Sequence, residues 1–410
     1  MQTFITNDLI NTADGREANR ILRSCVHCGF CTAACPTYRL LGDELDSPRG
    51  RIYLIKGLLE GDVTTEKTML HLDRCLTCRA CETFCPSGVQ YGHLLDIGRK
   101  HLERKIKRNQ FSKFQRYVLR QILPYRNRFT YLLKLGQYVR PVLPGKLKTV
   151  IPPRGKNKPV RVGQHDRKMV LFRGCVQPAL SPQTNISATR ILGKLGIEAM
   201  TVPGESCCGA IDFHMAETGS AERFMKRNID VWWPLVEAGI EAIVSTASGC
   251  GVMLKDYAYI LRDDPEYSEK AAAIRSLVRD ISEIISQEDL GLLKKQIAGN
   301  TKKLVFQNPC TLQHGQKLPD KTEKILQQLG FDLLPVSDKH ICCGSAGVYS
   351  IFQKKISGQL QHLKLDNLLA NRPDVITTAN IGCQIHLQKV SGVPVKHWVV
   401  MVDEACGAGN

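Results

Sequence analysis

The spacing of apolar positions changes along the chain, and the changes divide it. Arg49-Gly-Arg-Ile-Tyr-Leu-Ile-Lys-Gly-Leu-Leu-Glu60 carries its apolar residues at helical spacing, with Ser47-Pro48 as a helix-start signal. Val89 to Ile106 reads as another helix. From Arg99 to Tyr138 the pattern stays helical, with Phe111, Phe114, Tyr117, Val118 and Ile122 near one face. Pro141, Pro144, Pro152 and Pro153 then break it into a polar linker. Beyond residue 165 short apolar runs alternate with helical stretches. Met169-Val-Leu-Phe-Arg-Gly-Cys175 and Leu304-Val-Phe-Gln-Asn-Pro-Cys310 are strand-like runs that each end in cysteine. Strand, helix, strand, Cys-Cys-Gly, helix, strand, Cys occurs twice, so this part is an internal duplication. The alternation predicts two α/β units with mainly parallel sheets. The expected fold class is multidomain α + α/β. Its parts are an α-helical unit at 1–98, a basic helical segment and linker at 99–165, and α/β units at 166–295 and 296–410.

Candidate chemistry sits in the cysteines. Cys25-Val-His-Cys28-Gly-Phe-Cys31-Thr-Ala-Ala-Cys35-Pro36 recurs as Cys75-Leu-Thr-Cys78-Arg-Ala-Cys81-Glu-Thr-Phe-Cys85-Pro86. Both follow C-x2-C-x2-C-x3-C-P, the two-cluster ferredoxin run, in which the fourth cysteine ligates the other cluster. The expected ligand sets are therefore Cys25, Cys28, Cys31 and Cys85 for one [4Fe–4S] cluster, and Cys75, Cys78, Cys81 and Cys35 for a second. Zinc sites pair C-x2-C knuckles across a longer loop, which this pattern does not match. His27 reads as a spacer. Arg74 and Arg79 flank the second run, which favours a higher potential for its cluster than for that of the first.

The duplicated α/β units add Cys175, Cys207, Cys208 and Cys250, then Cys310, Cys342, Cys343 and Cys383. All fall at strand C-terminal ends, where open α/β sheets bind ligands, so both sets are expected to converge on one site. Gly209 and Gly344 suit a tight turn after the paired thiols. Cys406, in a Gly-Ala-rich tail, reads as incidental.

Composition narrows the class. The chain has 410 residues, 43% hydrophobic and 23% charged, as in a soluble globular protein. Seventeen clustered cysteines argue for metal ligands in a reducing compartment rather than a disulfide framework. The N-terminus lacks a signal-peptide pattern, and no apolar run is long enough to span a bilayer. The expected location is the cytoplasm, with peripheral attachment to the inner face of the cell membrane. The net charge is +17. Its excess lies between Arg99 and Lys148, which reads as a solvated connector, a partner-subunit interface or a lipid-headgroup contact. No nucleic-acid module accompanies it. No G-x-G-x-x-G fingerprint or P-loop is present either, as expected of a chain that relays electrons rather than abstracting a hydride.

The repeated Cys…Cys-Cys-Gly…Cys arrangement resembles the cysteine-rich CCG domains of heterodisulfide reductase, anaerobic glycerol-3-phosphate dehydrogenase, lactate-utilisation and glycolate oxidase subunits. Fusion to an N-terminal two-cluster unit resembles the glycolate oxidase iron–sulfur subunits. That resemblance implies an electron-transfer subunit with no catalytic residue of its own. A partner flavoprotein carrying FAD would oxidise glycolate to glyoxylate, and the electrons would pass to a quinone or another membrane acceptor. Lactate or glycerol-3-phosphate as the partner's substrate, or a heterodisulfide or thiol reductase role, stays open. The fuller family pattern ends C-x-x-C, whereas here Met253 and His386 stand in the last position. Three readings of the eight CCG cysteines follow: a third iron–sulfur or metal site with His386 or His314 as substitute ligand, a metal-free redox thiol site, or packing.

Overall fold

The computed structural model describes residues 1–142, 144, 151–153, 163–297, 299 and 301–408. The N-terminal unit is helical, as the spacing predicts. Its helices Ala13–Ser24, Pro48–Glu60, Glu66–Asp73 and Tyr91–Lys105 bury Ile21, Leu22, Ile55, Leu59, Leu72, Leu94 and Leu95 in one core. Helix Pro48–Glu60 starts where expected: the Ser47 hydroxyl accepts from the Gly50 N–H, with Pro48 in the first turn, and Gly61 ends it in the left-handed conformation. Gly98 lets helix Tyr91–Lys105 press against it, since a Cβ there would sit 2.7 Å from Ile55 Cγ1.

The basic segment forms two helices, Gln110–Ile122 and Arg126–Val139. The polar linker expected after them lies largely outside the described residues.

Two four-stranded sheets follow. The first holds β1 (Arg167–Phe172), β2 (Ile197–Met200), β3 (Ala242–Ser245) and β4 (Val278–Asp280). The second holds β5 (Lys303–Gln307), β6 (Asp332–Leu333), β7 (Val375–Thr378) and β8 (Val395–His397). The orders are β2-β1-β3-β4 and β6-β5-β7-β8, all pairs parallel. The inner strands β3 and β7 are buried on both faces, with Ser245, Thr377 and Thr378 the polar positions among apolar ones. In this order the chain winds outward in both directions from β1 and from β5. A crevice therefore opens at the carboxyl ends of β1 and β3, and of β5 and β7.

The two halves share a core. Leu171, Ile191, Val244 and Ile281 of the first pack in one cluster with Leu304, Phe306, Trp398 and Met401 of the second. Polar contacts cross the same seam: Ser248 N–H donates to Ala379 O at 3.1 Å, and Ser187 Oγ to Asp403 at 2.8 Å.

Candidate metal centres

The two N-terminal cysteine runs fold alike. His27 and Gly29 in the first, Thr77 and Arg79 in the second, all take left-handed backbone, with φ of 55°, 85°, 54° and 58°. Three of these are not glycine, so the loops are held against their own preference. The curl turns successive side chains and N–H groups to one side.

Cys25, Cys28, Cys31 and Cys85 line one cavity of about 440 Å³, with Ile52, Val89 and Tyr91 among its apolar walls. Cys35, Cys75, Cys78 and Cys81 line a second of about 300 Å³, with Leu76, Thr37 and Arg51. The fourth cysteine of each run thus faces the other run's triplet. Cys81 also borders the first cavity, so the two spaces are neighbours. Burial pushes the Cys31 thiol up to about 11, and Cys78 and Cys81 well above the usual thiol range, reinforced by neighbouring thiols. Bare thiolates are costly there unless a cationic group neutralises them. Each cavity offers four soft sulfur donors, no carboxylate and more room than one ion needs, so the residues fit an iron–sulfur cluster.

Donors to sulfur complete the lining. Thr77 N–H lies 3.5 Å from Cys75 Sγ, Tyr91 Oη 3.6 Å from the same sulfur, and Val89 N–H 3.5 Å from Cys85 Sγ. Arg51, buried, reaches Thr37 Oγ1 at 3.1 Å and approaches Cys35 Sγ at 4.0 Å. Its charge is balanced by buried Asp46 at 3.2 Å, which also pairs with Arg74 at 2.8 Å and His71 at 3.1 Å. Arg79 is taken by Asp256 at 2.6 Å. Arg74, just before the second run, and Arg79, inside it, are therefore not bare charges. His27 borders the first cavity, with its ring stacked on Tyr53 at 4.5 Å.

Beyond the second cavity lies a larger one of about 2230 Å³. Cys75 and Cys78 form part of its wall, and all eight CCG cysteines line it. Equivalent positions arise from equivalent topology. Cys175 and Cys310 come three residues after β1 and β5, and Cys250 and Cys383 five residues after β3 and β7. Gly209 and Gly344 after the paired thiols have φ of 92° and 87°. At Gly344 a Cβ would lie 2.6 Å from Ser357 O, so the turn excludes a side chain. Sulfur separations are 3.5 Å for Cys175–Cys207, 3.8 Å for Cys310–Cys342 and 3.2 Å for Cys343–Cys383. These are close approaches without a bond, and all seventeen cysteines are free. Cys208 accepts from the thiols of Cys207 and Cys250 and is pulled well below the usual range.

The substitute ligands separate. Met253 lines the large cavity. His386 does not; its Nε2 faces Ser357 Oγ at 3.4 Å, and burial lowers its pKa to about 4. His314 is held by Thr83 at 2.9 Å and His340 O at 3.2 Å, also outside the cavity wall. Cys406 packs in the shared core. Lys364 escaped the sequence reading. Its Nζ is buried beside the second thiol set, 3.0 Å from Lys339 O, and burial lowers its pKa while Cys343 and Cys342 oppose that. The signal was present: Lys364 falls in the stripe Ile356, Leu360, Leu368, at steps of four.

Comparisons with known proteins bear on these cavities. A family model described as a 4Fe-4S dicluster domain matches residues 21–89, and one described as a cysteine-rich domain, CCG, matches residues 169–255 and 304–388. The chain is 48% identical over 406 residues, 99% of each chain, to the glycolate oxidase iron-sulfur subunit of Escherichia coli. It is 31% identical over 404 residues, 90% of this chain and 88% of the other, to a probable glycolate oxidase iron-sulfur subunit of Bacillus subtilis. Lactate utilization protein A of Bacillus licheniformis is 26% identical over 223 residues, 54% of this chain and 90% of its own.

Proposed function

The chain belongs to the family of glycolate oxidase iron–sulfur subunits, and we propose that it carries electrons away from a partner flavoprotein that oxidises glycolate to glyoxylate with FAD. In this reading Cys25, Cys28, Cys31 and Cys85 hold one [4Fe–4S] cluster, and Cys75, Cys78, Cys81 and Cys35 the other. Bound there, the clusters supply one-electron carriers whose potential follows charge, hydrogen bonds to sulfur and solvent access. The reading is carried by the order of the three cysteine-lined spaces. Cys28 is exposed at one end, Cys81 borders both small cavities, and Cys78 faces Cys310 and Cys342 at the other. Entry at the exposed end and exit through the CCG half follow from that order.

The eight CCG cysteines form a third site in this reading, without His386 or His314. The division at residues 98, 165 and 295 marks carrier, connector and the two halves of the exit. The acceptor is a quinone or another membrane component, reached by peripheral attachment at the inner face of the cell membrane. Among the described residues no helix is long and apolar enough to cross a membrane.

The test is anaerobic preparation of single-cysteine variants. Cys85→Ser is expected to lose the cluster signal that Cys28→Ser loses, and Cys35→Ser the one that Cys78→Ser loses. Pairing of Cys85 with the Cys78 phenotype would overturn the crossed ligation. Cys28→Ser in the assembled complex is expected to leave flavin reduction by glycolate intact while stopping onward transfer.

A further inference from the structure

Helices Gln110–Ile122 and Arg126–Val139 carry aromatic rows on the side away from the body. A helix on a globular protein normally buries its apolar stripe and shows its charges. Here arginines face the body. Arg116 approaches Asp73 and Glu103, each at 3.6 Å, with its guanidinium over the Phe352 ring. Arg120 pairs with Asp212 at 3.3 Å and Glu217 at 2.5 Å. Arg126 donates to Gly174 O at 2.9 Å. Val118, Leu119, Ile122, Phe129 and Leu133 are half-buried, but most of the aromatic rings face out. Phe111, Phe114 and Tyr117 recur every third residue on the first helix. Tyr131, Leu135, Tyr138 and Val142 continue one stripe along the second and just past its end. Their exposures run from 52% at Leu135 to 84% at Tyr138 and Val142. Single exposed apolar side chains need no explanation, but two aligned rows do. Among the described residues nothing covers these rows.

Charge identifies what covers them. Residues 104–165 hold 17 Lys and Arg and no Asp or Glu. Lys113 and Lys134 stand exposed beside the aromatic rows. Aromatic rings with lysines alongside suit the headgroup layer of an anionic bilayer. Helices of 13 and 14 residues are too short to span it, so they lie in its plane. The first row is also continuous with the large cavity, since Phe111, Ser112 and Gln115 form part of that cavity's wall.

We propose that the helical pair 110–142 lies in the headgroup layer of an anionic membrane, with Tyr131, Leu135 and Tyr138 inserted, and sets the large cavity at the lipid surface. A lipid-dissolved acceptor then enters the cavity without crossing water. The surface deepens, and rests on, the reading that the acceptor is a membrane component.

The test uses the full-length, cluster-loaded protein and sedimentation with vesicles of phosphatidylcholine alone or mixed with phosphatidylglycerol. Binding is expected only to the anionic vesicles and is expected to fall with salt. Lys113→Gln with Lys134→Gln is expected to weaken it about 30-fold, from two basic residues at the surface. Tyr131→Ser with Leu135→Ser and Tyr138→Ser is expected to abolish it while iron content stays unchanged. Retained binding in that triple variant would overturn the proposal. So would unchanged vesicle binding with loss of co-elution with the flavoprotein, which would make this face a protein interface. Quinone reduction by the complex reads the acceptor separately: hairpin-dependent vesicle binding without it would uphold the surface and sink the acceptor.

Discussion

Asp46 is the residue whose removal tests most directly how the second cysteine cavity is built. Its carboxylate is fully buried between Arg51, Arg74 and His71, and its backbone carbonyl accepts from Thr37 Oγ1 at 2.9 Å. Arg51 is 1% exposed. Burial opposes its charge, but Cys75, Tyr91, Cys35 and Asp46 around it hold it protonated. Asp46→Ala would leave that guanidinium buried without its counter-charge. Breaking a buried pair from one side costs about 3–5 kcal/mol, or roughly 10²–10⁴-fold in the local opening constant. Arg51 sits in helix Pro48–Glu60 and donates from Nε to His71 O at 2.7 Å, so both helix and loop should loosen. The assay is amide hydrogen exchange of the anaerobic holoprotein, read on peptides covering 48–60 and 66–75. Exchange should accelerate by that factor, and the signal of the second cluster should fall before that of the first. Arg51→Met with Asp46→Leu should restore part of the protection, since the buried guanidinium goes together with its carboxylate while Arg74, partly exposed, can turn to water. Exchange changed less than about tenfold in Asp46→Ala would refute the account, because the pair would then be dispensable. A double variant worse than the single one would refute it as well.

Three other outcomes follow from the same packing. Gly98→Ala should cost about 1–3 kcal/mol, read as a lower thermal midpoint, because its Cβ meets Ile55 at 2.7 Å. Potentiometric titration of Cys28→Ser and Cys78→Ser proteins should give the cluster at 75–81 the higher potential, since Arg51 and Arg74 share one carboxylate and leave a net positive charge beside it; the reverse order would reject this. Burial lowers His314, His386 and His397 each to about 4, so the unfolded chain takes up their protons first as pH falls. Their stabilisation is complete above about 6.5 and is lost towards 4. Asp280, raised to about 6 by burial, works in the opposite sense and loses its contribution as pH rises through 6. Burial also lowers His27, His101 and His340 and raises Glu82, Glu205 and Glu323, so six groups stand against four; the urea midpoint should drop between pH 7 and 5, and His397→Gln should flatten the slope.

Much of this architecture is legible in the chain because the signals are local. The duplicated C-x2-C-x2-C-x3-C-P runs and the helix after Ser47-Pro48 need only neighbours within a dozen residues. The repeat of Cys-Cys-Gly at a constant offset exposes the duplicated α/β unit, and strand-end chemistry places its cysteines on one cavity. What the sequence hides is long-range. Arg74 and Arg79 read as open charges, but their partners Asp46 and Asp256 lie 28 and 177 residues away. His386 stands where the family places a thiol, yet its ring turns to Ser357 on another helix. The basic segment shows helical periodicity, but periodicity does not say which face turns outward. Only the acidic partners on the body decide that, and they put the aromatics in solvent.

The helix Trp398–Asp403 lies against helix Pro182–Lys194 of the first half, with Asp403 accepting from Ser187 and Arg190. During synthesis, then, the amino-proximal repeat cannot close this face of its hydrophobic interior until helix Trp398–Asp403 has left the ribosome. Its four thiols belong to the other face, where Cys175, Cys207 and Cys208, with Cys250 against them, pack among residues 170–278 of the same repeat. A nascent chain stalled before Trp398 would therefore show Leu171, Ile191 and Val244 to solvent while its thiol loops kept their own packing.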